Sequence, residues 1–246
     1  HREIHFHWRE GSVLADGLPG PHSAALDAIY QDALDIDYAA LSAEQDRAIA
    51  ALRSGVVRVR TPAGADLRFR VGERPFNKQD GDASPARMAR ARVRVDREIE
   101  LPAGVLRVAP LEETVNGRIV ISTARFGNEI ARDVRLEIQS GRVVRIEASQ
   151  NLPTVEAALD AGGSAARRFR EFGLGFNPKL HAPPGSHTLA YYGYGDAVVR
   201  LSLGDNQEVG GAVRGGFVRW FFFPDTTIEV DGRTLVRNGR LVREKR

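Results

Sequence analysis

Val56-Val57-Arg58-Val59-Arg60 and Leu67-Arg68-Phe69-Arg70-Val71 alternate apolar and charged residues. Successive side chains of an extended chain point to opposite faces, so a period of two predicts strands with one buried and one wetted face. Thr61-Pro62-Ala63-Gly64-Ala65 supplies the turn between them. Similar patterning predicts strands at 92–95, 105–109, 118–122, 197–203, 217–223, 226–230 and 233–236, and a hairpin of 134–139 with 142–148 through Ser140-Gly141. Asp231-Gly232 and Asn238-Gly239 are hairpin-turn dipeptides. Ile4, Phe6 and Trp8 alternate with His5 and His7, which predicts another strand with the apolar side buried.

Helical patterns are fewer. They cover 23–34, 42–55, 153–160 and 164–172, the last two separated by Gly162-Gly163. Ser42 and Gln45 have capping-box spacing, which places a helix start at Ser42. Residues 72–90 read as a polar loop, and a Gly/Pro/Tyr-rich loop follows Glu171 as far as Gly195. The expectation is an α+β fold, a strand-rich mixed-sheet domain with a few helices. Residues 1–55 form an N-terminal strand and helical segment, and residues 56–246 form the main domain.

Composition excludes several classes. No apolar run approaches the ~20 residues that span a bilayer; the longest, Trp220 to Phe223, stops at Pro224. The chain has no cysteine, which rules out disulfides, thiolate nucleophiles and zinc-thiolate sites and agrees with a cytoplasmic protein. The net charge of +3 comes almost wholly from arginine, with lysine only at Lys78, Lys179 and Lys245. The arginines are interleaved with acids. The one dense basic run, Arg87, Arg90, Arg92, Arg94 and Arg97, reads as a solvated surface, so neither nucleic acid nor membrane is an expected partner.

Some motifs carry a family resemblance. Pro102, Gly104, Ala109 and Pro110 come first, then Asn116-Gly117, then Glu171, Leu174, Gly175, Asn177 and Pro178. Leu203-Gly204 follows, and last come Ile228, Val230, Asp231 and Gly232. In order and spacing these resemble the aminopeptidase T (PepS-type) family from about Thr61 onward. The resemblance implies that family's fold, a homodimer, and a chain beginning after an N-terminal α/β domain. It also implies a pair of divalent ions, but most ligand positions differ here. Val105 and Arg200 stand at a glutamate and a histidine position, Val218-Arg219-Trp220 stands at a His-x-Asp, and Glu171 alone survives.

Valine has no lone pair, and arginine carries a fixed positive charge with no acceptor. The expectation is therefore a diverged aminopeptidase-like protein without its dinuclear metal centre, with no metal and no cofactor. Arg107, Arg200 and Arg219 are expected to gather around the old cavity and bind a small anionic molecule, a carboxylate or phosphate. Tyr192 and Tyr194 would add polar contacts, and Glu171 would be a general base. The alternatives are a noncatalytic interaction or structural protein, a metal-dependent aminopeptidase, or a single-metal dioxygenase with unusual ligands. His5 and His7 share a strand face as metal ligands often do, with a third ligand to come from His1, His22, His181, His187 or an acid. His181 and His187 with Glu171 are a weaker candidate set.

Overall fold

The computed structural model describes residues 3–92 and 94–243. Strand β1 (Glu3–His5) precedes helices α1 (Ala24–Leu34) and α2 (Tyr38–Arg53). The Ser23 side chain caps α1 by accepting from the Leu26 amide. Helix α2 starts four residues before Ser42, because Asp37 supplies the cap and accepts from the Ala40 amide at 2.9 Å. Ser42 instead donates to Asp80, and the buried Gln45 donates to the Gln79 carbonyl.

Next come β2 (Val57–Arg60), β3 (Asp66–Phe69), β4 (Asn77–Gln79), α3 (Pro85–Ala89), β5 (Glu98–Glu100) and β6 (Val105–Val108). Strand β4 and helix α3 replace part of the loop expected at 72–90. Of the strand expected at 92–95, Val93 lies outside the described residues and Arg94–Arg97 is a 3-10 turn. The long strands β7 (Asn116–Phe126) and β8 (Glu129–Gln139) lead into β9 (Arg142–Glu147), then α4 (Leu152–Ala161) and α5 (Gly163–Ala166). The last strands are β10 (Phe169–Gly175), β11 (Val199–Gly204), β12 (Val218–Phe223), β13 (Thr227–Val230), β14 (Arg233–Arg237) and β15 (Arg240–Leu241).

Two antiparallel sheets dominate. One has eight strands in the order β15-β14-β13-β2-β3-β7-β8-β9, and the other five in the order β12-β11-β10-β6-β4. The only parallel pair of strands among the described residues joins β1 to β5. The α+β, strand-rich expectation holds.

Leu67, Phe69, Ile119 and Leu136 of the large sheet share one core with Val108, Phe172, Leu201 and Phe221 of the smaller. Phe69 meets Phe172 with ring centroids 5.3 Å apart. Each such side chain removed from water contributes roughly 1.5–3 kcal/mol. Leu41, Ala48 and Leu52 of α2 join the same core.

The other face of the five-stranded sheet carries the charge. It is covered by α1 and by the loop after β10, through Leu26, Tyr30, Leu180, Tyr191 and Tyr194. The expected burial at the N-terminal strand fails for Ile4 and Phe6, each 54% exposed, while Trp8 packs edge-on against Tyr30 and His5 and His7 turn toward Glu100. No helix among the described residues is long and apolar enough to cross a membrane.

Candidate functional site

Register across the five-stranded sheet builds the site. Asn77, Arg107, Gly173, Arg200 and Phe222 lie in one row from β4 to β12. Gly173 is central and has no side chain. A Cβ there would lie 3.2 Å from Arg200 Cβ and 3.3 Å from its Nε. That gap lets the two arginines cross the middle strand. The register between β10 and β11 shifts between Phe169 and Phe172. A bulge re-aims side chains, and here it brings the neighbours Arg170 and Glu171 into one cluster.

Glu171 is fully buried at the centre. Its Oε2 accepts from Arg107 Nη2 at 2.9 Å and also contacts Arg170 Nη1. Its Oε1 lies 2.9 Å from Arg200 Nε. Glu208, on the solvent side with its side chain 48% exposed, accepts from both Arg107 and Arg170.

Burial is the largest influence on Glu171 and raises its pKa, but the summed attraction of Arg107, Arg170 and Arg200 outweighs it. The carboxyl ends well below the usual range. Glu208 is lowered by the balance of the same effects. Three guanidiniums therefore face two carboxylates, leaving one unit of positive charge.

Arg200 carries that excess. Burial, with Arg107 and Arg170 beside it, lowers its pKa while Glu171 opposes. Its Nη2 is buried with no hydrogen-bond partner. Its guanidinium stacks on Trp220 at 5.2 Å, and Trp220 Nε1 is likewise buried and unpartnered.

Two expectations are corrected here. Arg219 is not in the cluster: it lies opposite Leu203 on the other face of β12, donates to the Arg125 carbonyl at 2.7 Å, and stacks on Phe126 and Phe221. A one-residue offset along a strand reverses the side. Glu171, expected as a general base, is enclosed by Arg107, Arg170 and Arg200, with both carboxylate oxygens in contact with guanidiniums. Arg170 was missed because 164–172 reads as helix.

Tyr191 and Tyr192 both adopt left-handed backbone, with φ of 40° and 50°. For a bulky residue this costs on the order of 1–3 kcal/mol, and such strain clusters at working sites. Tyr192 meets Trp220 at 5.8 Å and His7 at 5.5 Å. Burial pushes its phenol up to about 12, with Glu100 adding to the shift. Tyr194 is buried and feels Glu100 on one side and Arg200 and Arg107 on the other; burial and Glu100 hold its pKa above normal.

Past this loop, His5, His7 and Glu100 bring three potential ligand atoms within 4.8 Å of one another, the only such grouping among the described residues. His181 and His187 are exposed and do not join Glu171. His22 is engaged by Asp27 at 2.9 Å, and His1 lies outside the described residues.

The Glu171 cluster does not fit a cation: one committed carboxylate faces three fixed positive groups, and Glu208 is shared by two of them.

No curated protein matches the sequence. Among solved structures, the 2,5-dihydroxypyridine dioxygenase of Pseudomonas putida KT2440 is similar over 89% of this chain, with a TM-score of 0.65 and 19% identity. AmpT of Thermus thermophilus is similar over 85%, with a TM-score of 0.55 and 18% identity. The chain spans 63% and 56% of those two proteins. At such identities the likeness shows the fold alone. The family profile for NicX, 2,5-dihydroxypyridine 5,6-dioxygenase, matches residues 38–243. This overturns the aminopeptidase T assignment and, with it, the reading as a peptidase stripped of its metal centre. The match covers more than four fifths of the sequence, and the chain belongs to the 2,5-dihydroxypyridine 5,6-dioxygenase (NicX) family.

Proposed function

We propose that the chain is a dioxygenase-type enzyme that holds a small ring compound by one ionised oxygen substituent, a carboxylate or phenolate, against Arg200. The observation that carries this is the single excess positive charge of a buried cluster whose Arg200 Nη2 has no partner. A buried cluster with one more cation than carboxylate is costly, and an anion of matching charge offsets the excess. Family membership supports the reaction class.

The roles of the side chains follow from position. Arg200 binds the anionic oxygen. Glu171 and Glu208 hold Arg107 and Arg170 in place and keep them from crowding it. Trp220 and Tyr192 present aromatic faces to a ring. Tyr194, kept protonated, serves as a hydrogen-bond donor. Activation of oxygen would need a metal or cofactor that the arginine cluster does not hold, and no proton transfer is assigned to Glu171.

Thermal melting with benzoate, hydroxybenzoates, 2,5-dihydroxypyridine and phosphate tests the binding half. A ring anion at a hundred times its dissociation constant stabilises by about 2.7 kcal/mol, which raises the melting temperature by about 5–10 °C for a chain of this size. Arg200→Met is expected to abolish the rise and Arg219→Ala to leave it. The binding half fails if no ring anion raises the melting temperature or if Arg200→Met responds like wild type. Oxygen uptake with the ring that binds tests the chemistry separately, and its absence would remove the dioxygenase half.

A further inference from the structure

We propose that His5, His7 and Glu100 form a binding site for one divalent first-row transition ion. The site goes beyond the ring-binding reading and does not depend on it. His5 and His7 precede the stretch matched by the family profile.

The parallel pairing of β1 with β5 sets His5 directly opposite Glu100. His5 Nδ1 lies 3.3 Å from Glu100 Oε1, and His7 Nε2 lies 3.8 Å from Glu100 Oε2. With metal–ligand bonds of about 2.0–2.2 Å, ligand atoms at right angles stand about 3 Å apart. The three ligand atoms already lie within 4.8 Å of one another. Two imidazoles and one carboxylate suit iron, cobalt, nickel or zinc rather than calcium or magnesium, and this donor set leaves coordination positions open.

The surroundings are those of a supported ligand set. When His5 binds through Nδ1, its Nε2 is left facing Glu3 Oε2 at 3.4 Å, the carboxylate–histidine–metal arrangement that orients an imidazole. Glu100 Oε2 accepts from Tyr191 Oη at 3.1 Å, and the same hydroxyl lies 3.2 Å from the His5 carbonyl. Tyr191 is itself wedged edge-on against Tyr30 and Tyr194.

Access is also present. The His5 and His7 side chains are 28% and 39% exposed, so an ion can enter from solvent. On the inner side His7 meets Tyr192, and Tyr194 feels both Glu100 and Arg200. The ion would thus sit across the tyrosine loop from the arginine cluster. It would also tie together two strands of only three residues each.

The test uses the tag-free chain, stripped with chelator and dialysed. Cobalt(II) is titrated while the visible d–d absorption is followed, and zinc(II) is titrated by calorimetry. The expected result is one equivalent per chain. His5→Ala, His7→Ala and Glu100→Gln should each weaken binding at least tenfold, and loss of an outer partner in Tyr191→Phe should weaken it by about 10-fold or more. A His181→Ala/His187→Ala control should bind like wild type. His7 is partly exposed and lies outside the strand, so its variant keeps the test clear of folding defects. Failure of wild type to take up a stoichiometric ion, or unchanged uptake by the His5→Ala/His7→Ala variant, overturns the proposal.

Discussion

Glu171→Gln and Arg200→Met each delete one charge from the same buried cluster, and the structure gives them opposite consequences. In wild type three guanidiniums face two carboxylates. Glu171→Gln raises the excess from one positive charge to two and strips Arg107, Arg170 and Arg200 of their shared partner. Breaking a buried pair in this way costs about 3–5 kcal/mol. At about 2–4 °C per kcal/mol for a chain of this length, the melting temperature should fall by about 6–20 °C. Arg200→Met balances the cluster at two against two with a side chain of similar length. It gives up the stacking on Trp220, about 0.5–2 kcal/mol, and the contact with Glu171, but removes the excess charge. Its stability should lie within about 1 kcal/mol of wild type or above it. The double variant returns to an excess of one and should recover about 0.5–3 kcal/mol relative to Glu171→Gln alone.

Urea unfolding followed by tryptophan fluorescence measures all three. Acid provides a second reading. The Glu171 pKa is depressed in the folded chain, so its stabilisation is complete above the unfolded value near 4.5 and is lost as pH falls below it. Glu171→Gln should flatten that acid limb. If Arg200→Met destabilises as much as Glu171→Gln, the excess-charge reasoning is wrong.

Gly173→Ala should cost about 1–3 kcal/mol, since the new methyl meets Arg200 and overpacks the gap. At an ordinary strand glycine the same change would gain about 0.5–1 kcal/mol, so the sign in urea unfolding is decisive. All five tyrosines are shifted upward, mainly by burial. Ultraviolet titration of the native chain should therefore show less tyrosinate at pH 10 than the unfolded chain, in which about half of the phenols are ionised. Equal ionisation of the two states at that pH would remove the assignment of Tyr192 and Tyr194 as protonated groups.

Much of the fold was legible where alternation was clean and turn residues were strong. The β13–β14 and β14–β15 turns have positive φ at both Asp231-Gly232 and Asn238-Gly239, as those dipeptides favour. The site was less legible because its central strand hides its period. Ala165 to Arg168 favour helix locally, and the bulge at Arg170-Glu171 breaks the alternation that would have marked β10. Arg107 and Arg200 lie in one register row, as their strands suggested, but which face Arg219 takes depends on a cross-strand register that one sequence does not contain. Glu100 pairs with His5 across 95 positions of sequence, a contact with no local signature. For β1 the pattern itself misled, because its polar side found partners and its apolar side did not.

The bare backbone at Gly173 leaves the sheet one peptide thick between its oily side and its ionic side. Phe172 and Leu174 project from the strand into the core on one side, while Arg107 and Arg200 lie across it on the other. The aim of the guanidiniums is thus set by how well a hydrocarbon layer fills its space. Trimming a methylene beneath the strand should retune ligand affinity without touching a single charged residue.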